Sequence, residues 1–183
     1  MANPTMTLIA SNTVGSGGAT SVTFSSIPAT YTDLKLVMSV RTNITEARSV
    51  LGIVINGDTT GANYSYRVLY GVGASTAGSA NGTGTGAAFG YIFYVDAASA
   101  TASTFGSTEL YIPNYTASIN KSIINDGMAE SNDITNYGIA MNNANWNSTA
   151  AITSISLLTE TANVATGAFV QYSTFYLYGI KNS

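Results

Sequence analysis

The chain has 183 residues, 45% of them apolar and only 8% charged, with a formal net charge of −3. That length suits one domain with a real core, and so sparse a charge, without any Lys/Arg cluster, excludes electrostatic binding to nucleic acid. There is no cysteine and no histidine, which excludes disulfides, thiol nucleophiles, Ser-His-Asp triads and histidine metal sites.

No run approaches the ~20 apolar residues of a membrane helix. The opening MANPTMTLIAS lacks the basic and apolar regions of a signal peptide. Synthesis in a cytoplasm, without classical secretion and without a membrane span, is the expectation. A typical soluble domain is roughly 25% charged, so this surface must be built from Ser, Thr, Asn, Gly and Tyr. Stability then has to come from packing or from symmetric association.

In chain order, Thr7 to Ala10 reads as a short strand and Val14 to Gly18 as a glycine turn. Val22 and Phe24 alternate toward Ser25-Ser26-Ile27-Pro28, where proline stops the ladder. Leu34, Leu36, Met38 and Val40 then alternate with Lys35, Val37, Ser39 and Arg41, which predicts a long strand with one apolar face. Strands are predicted over Val50 to Asn56, Tyr64 to Tyr70, Phe89 to Val95, Thr108 to Ile112, Asn120 to Asn125, Tyr137 to Met141, Ala151 to Thr159 and Ala168 to Ile180. Asn56-Gly57-Asp58, Pro113-Asn114, Asp126-Gly127 and the Asn-rich 142–147 segment read as turns. Gly71 to Ala88 and Ala97 to Thr104 are small-residue stretches that read as loops, and Ala129 to Asn136 as a polar loop.

Roughly nine to eleven short strands, at the spacing of all-β sandwiches, make the predicted fold an antiparallel two-sheet sandwich of jelly-roll type. It forms a single domain over residues 1–183. Residues 1–20, polar and glycine-rich, are available as an N-terminal arm that orders on binding.

Few residues suggest chemistry. Gly82-Thr83-Gly84-Thr85-Gly86 has glycines like a phosphate loop, but no lysine and no helix follow, so it reads as a spacer. Asp126, Glu130 and Asp133 lack the spacing of a calcium loop and read as solvated. Asp58 is placed to close an Asx turn. Glu109 and Glu160 fall on strands, yet nothing in the sequence selects them as an acid pair for glycoside hydrolysis. No catalytic residue, cofactor or metal is predicted, and the chain is not read as an enzyme. The six Asn-x-Ser/Thr triplets, at Asn43, Asn63, Asn81, Asn114, Asn120 and Asn147, are read as unglycosylated.

The chain is rich in tyrosine and has one tryptophan. Trp146 with Tyr64, Tyr66 and Tyr70 is the candidate interaction surface, since aromatic faces with polar tips suit wet contacts and sugar rings. The competing reading is that they, and Tyr172, Tyr176 and Tyr178, fill the core and a subunit interface, because alternation already explains their spacing.

Three segments carry a resemblance: FSSIPATYTDLKLVMSVRTN (24–43), IVINGDTTGANYSYRVLYG (53–71) and STFYLYGIK (173–181), with LIASNTVGSGGATSVTFSSIP before them. Together they resemble a family of small virion structural proteins of tailed bacteriophages; residues from about 72 to 170 match it only in composition. The resemblance implies a β-sandwich, commonly a homotrimer, displayed on the virion. Two placements follow. One is a head decoration or cement protein that binds the major capsid protein and stabilises the shell. The other is a tail-fibre or receptor-binding module that meets a host glycan or protein. The short chain, starting at its own methionine and without a coiled-coil shaft or fibre repeat, favours decoration.

Overall fold

Period-two alternation runs through most of the chain, and the strands it forms pair into two antiparallel sheets. The computed structural model describes residues 5–75, 77–83, 89–132, 137–161, 164–165 and 167–181. Its strands are β1 (Met6–Thr13), β2 (Ser21–Phe24), β3 (Asp33–Val40), β4 (Arg48–Ile55), β5 (Tyr64–Val72), β6 (Gly78–Thr83) and β7 (Phe89–Asp96). They continue as β8 (Gly106–Ile112), β9 (Lys121–Ala129), β10 (Gly138–Trp146), β11 (Ile155–Thr161), β12 (Val164–Ala165) and β13 (Thr174–Ile180). One three-residue 3-10 turn, Gly61–Asn63, is the only helical element among the described residues.

The larger sheet has eight strands in the order β1-β13-β3-β8-β9-β10-β5-β6. The smaller has the order β12-β11-β4-β7, with β2 also paired to β11. Between them lies one apolar core. Leu34, Leu36, Met38 and Val40 of β3 meet Leu51, Ile53 and Ile55 of β4, Ile155 and Leu157 of β11, and Phe175 and Leu177 of β13. The face assigned to β3 from its alternation is therefore the inner one. The fold is the expected all-β two-sheet sandwich.

Several local expectations are corrected. Residues 6–13 pair along the edge of β13. Val14 is buried and its N–H donates to the Ser173 carbonyl, while Ala19 and Phe169 exchange backbone hydrogen bonds. Residues 5–20 thus belong to the sandwich and are not a free arm: the ladder and burial offset the cost of ordering them. Within Gly71 to Ala88, residues 78–83 are not loop but strand β6, paired to β5.

The turn expected at Asp126-Gly127 and all but the last residue of the one expected over 142–147 lie inside β9 and β10, which pair with each other over their whole lengths. There, ladder formation overrides the turn preference of Asn, Asp and Gly. At the other extreme, the last predicted strand is shorter than expected. Tyr172 has φ 73, in the left-handed region, so the strand begins only at Thr174. Residues 97–104 are a loop, as expected; of the predicted 129–136 loop, Ala129 ends β9 and residues 133–136 lie outside the described residues.

Leu36 has no solvent exposure and sits in the central stretch of the core. Leu36→Asp places an unpaired carboxylate there, at a cost on the order of 4 kcal/mol or more. The expected result is loss of soluble folded protein, read by soluble fraction and far-UV circular dichroism. A soluble, native-like variant would invert the face assignment.

Candidate interaction face

An exposed sheet face usually carries polar side chains while the apolar ones point inward. Strands β9 and β10 depart from this over much of their length. Ile123 and Trp146, near one end, point inward and are buried, but most other inward positions hold small or polar residues: Asn125, Gly127 and Ala129 on β9, and Ala140, Asn142 and Ala144 on β10. Their outward positions hold Ile124, Met128, Ile139 and Met141, joined by Leu69 from β5. Met141 and Leu69 are 63% and 62% exposed, and the other three are about half exposed.

Register makes these residues one patch. Met141 lies opposite Leu69 on one side and Asp126 on the other; Ile139 lies opposite Met128; Asn143 lies between Arg67 and Ile124. The outer face continues through Tyr111, Lys35 and Tyr178 to Leu8 at the far edge. Contiguous exposed apolar patches are characteristic of contact surfaces. Two adjoining depressions shape it. One, of about 580 Å³, is lined by Arg67, Leu69, Glu109, Tyr111, Ile124 and Met141, among others. The second, of about 320 Å³, runs over Met128 and Ile139.

The charges on this face are few and specific. Glu109 and Asp126 lie directly opposite each other on β8 and β9, an unfavourable placement for like charges. Lys35 Nζ neutralises one of them through Glu109 Oε2 at 2.7 Å. That is the only ion pair among the described residues. Asp126 keeps no cation, and Arg67, two strands away across β10, keeps no acid among the described residues. No group of three or more His, Cys, Asp or Glu among the described residues is placed to hold a metal ion.

The residues expected at an aromatic interaction surface are elsewhere. Trp146 and Tyr64 are 2% and 1% exposed and belong to the core, so that expectation is corrected for both. Their polar tips explain why they are buried there. Trp146 Nε1 donates to Asp58 Oδ2 at 2.8 Å. The Tyr64 hydroxyl donates to the Asp58 carbonyl at 2.9 Å and accepts from the Ile55 N–H at 3.1 Å. Tyr66 and Tyr70 share the inward face of β5 and are half-buried, lining an inter-sheet cavity of about 280 Å³ with Val68, Tyr94 and Ala140.

The glycine-rich segment serves those two rings. A Cβ on Gly78 would stand 2.8 Å from the Tyr70 ring, and one on Gly82 would stand 3.1 Å from the Tyr66 ring. Gly78 and Gly82 therefore seat tyrosines on the neighbouring strand. Residues 84–86 of the glycine run lie outside the described residues. Glu130 is exposed and accepts the Asn132 N–H; Asp133 and the Glu160 side chain lie outside the described residues.

Asp58 closes the expected Asx turn by accepting the Thr60 N–H at 2.9 Å. Asn63 Nδ2 adds a third bond at 2.8 Å. Partial desolvation pushes this carboxyl up, but the bonds from Trp146, Asn63 and Thr60 together outweigh it and hold it at about 2. A lowered value means that its stabilising contribution is complete above the ordinary 3.8 and is lost as pH falls through about 2. Asp58→Asn cannot accept all three donors, and should cost about 1–3 kcal/mol at neutral pH. Denaturation curves of variant and wild type should converge as pH falls from 3.8 toward about 2. A difference that stays constant across that window would assign the effect to the amide's shape instead of the charge.

Comparison with family models, with curated proteins and with solved structures returns no match for this chain.

Proposed function

We propose that this chain is a structural protein of a tailed-bacteriophage particle, bound to the head shell as a decoration protein and in contact with the major capsid protein. The observation that carries this reading is the outer face of the eight-stranded sheet. Its central strands turn Ile124, Met128, Ile139 and Met141 outward. A domain built that way is suited to being covered, as a subunit in an assembly is.

The residues that carry the family resemblance support the same reading, because each secures the sandwich itself. In the Tyr-Thr-Asp-Leu stretch, Asp33 accepts from Tyr111 and Asn114. In the Asn-Gly-Asp stretch, Asp58 holds Trp146. In the Leu-Tyr-Gly-Ile ending, Gly179 leaves room for the Tyr31 ring, which a Cβ there would overlap. They build a rigid displayed domain. Its contacts with the shell would bury neutral apolar and amide surface, worth about 25 cal/mol per Å² of apolar area before ordering costs. Copies joined to one another would gain avidity on the shell.

Immunogold labelling of intact virions with antibody to this chain tests the placement. Label spread over the head is expected. Label confined to the tail would replace decoration by an adhesion role, and unlabelled particles would remove the protein from the virion. A neutral contact also predicts that decorated heads retain this protein in about 1 M NaCl. Release on going from low to high salt would point to an ion-paired contact with the shell.

A further inference from the structure

We propose that the outer face of the eight-stranded sheet pairs with a second copy of this chain, face to face about a two-fold axis near Met141, so that Arg67 of each copy meets the partner's Asp126. The inference rests on the reading of that face as an assembly surface and names what covers it.

Charge is the first argument. Arg67 and Asp126 are the two charges of the patch left without an ion-pair partner among the described residues. They flank β10 on opposite sides, Arg67 from β5 and Asp126 from β9. A two-fold axis lying in the interface and running along β10 carries β5 of one copy over β9 of the other. Arg67 is in register with Asn143, and Asp126 with Met141, one outward position further along. An arginine side chain spans that offset. Each copy then supplies the cation and the acid the other lacks, and both pairs form together.

Apolar complementarity is the second argument. The same operation lays Ile139 and Met141, the outward apolar residues of β10, on their own copies in the partner, as facing sheets pack in a sandwich.

Area is the third. Overlap about β10 covers the five strands from β8 to β6. At strand spacings near 4.8 Å and about 20 Å of strand length, that is about 500 Å² per copy, or about 1,000 Å² in all. Such an interface stands at the lower bound for a specific contact, so the pairing is concentration-dependent. It also leaves the β3, β13 and β1 side of each face free for a different contact.

Sedimentation of the purified full chain across about 10–300 μM tests the pairing, in the range where a contact of that area populates. The expected result is a reversible equilibrium between the 18.9 kDa chain and its dimer. Arg67→Asp alone, or Asp126→Arg alone, should weaken association about tenfold or more, and the doubly swapped variant should return it to within about threefold of wild type. Met141→Lys should abolish it. All these positions are exposed, so unchanged far-UV circular dichroism, and an unchanged Tm at concentrations where the wild type is monomeric, are required of every variant.

A monomer at every concentration overturns the proposal. So does a dimer or trimer that the single reversals leave intact, or a double variant no better than the singles. Virion labelling separates this failure from that of the decoration reading. Labelled heads with a monomeric protein in solution would overturn only the pairing; a charge-swappable dimer with unlabelled particles would overturn only the decoration.

Discussion

A sandwich with so few charges closes its ends with hydrogen bonds from side chains to backbone. Loops leave backbone groups without ladder partners, and burying those unpaired is costly. Here a handful of polar residues supply the partners. Asn56 Oδ1 accepts the Thr153 and Ser154 N–H groups, and its Nδ2 donates to the Ala151 carbonyl at 2.8 Å. Asn43 Oδ1 accepts the Ala168 N–H at 2.7 Å. Arg41 goes furthest. It is nearly buried, and its guanidinium donates to the carbonyl oxygens of Ala98, Ala100, Thr101 and Thr104. One cation at the end of β3 thereby fixes the whole connection between β7 and β8. These locks fix the loops that join the strands of the two sheets.

How much of this was legible follows from the same residues. β3 was readable because its inward positions are all large and apolar while its outward ones include lysine and serine. The Asx role of Asp58 was readable from its turn, but the donation from Trp146 was not, since the two residues are 88 positions apart. β9 and β10 were the least readable. Asn125 and Asn142 face each other in register inside the sandwich, both nearly buried, while isoleucine and methionine point out. Local preference there argues for turns, and only cross-strand pairing overrules it. β6 was hidden for a related reason. Its glycines resemble loop composition until Tyr66 and Tyr70 are placed on the neighbouring strand, where they need the missing side chains. The extent of β1 was likewise invisible, because its partner β13 comes from the other end of the chain.

The inverted polarity of β9 and β10 also bears on energetics. Most stabilisation of a sandwich comes from large apolar side chains meeting between the sheets. Under β3 and β13 that condition holds, with Leu34, Leu36, Phe175 and Leu177 fully buried. Under the middle of β9 and β10 the inward residues are Asn125, Gly127, Ala140 and Asn142, and the tyrosines of β5 fill part of the gap. Apart from Ile123 and Trp146 near one end, these strands keep their large apolar groups where only an external surface can bury them. A subunit that covers Leu69, Ile124, Met128, Ile139 and Met141 therefore adds burial that the isolated domain forgoes. By mass action, whatever binds only the folded chain also stabilises it. Any assembly through this face would be coupled to the stability of this half of the sandwich through the same five side chains. A polar residue at those outward positions would spare solubility at the cost of that coupling, which is why their apolar character argues for a covered face.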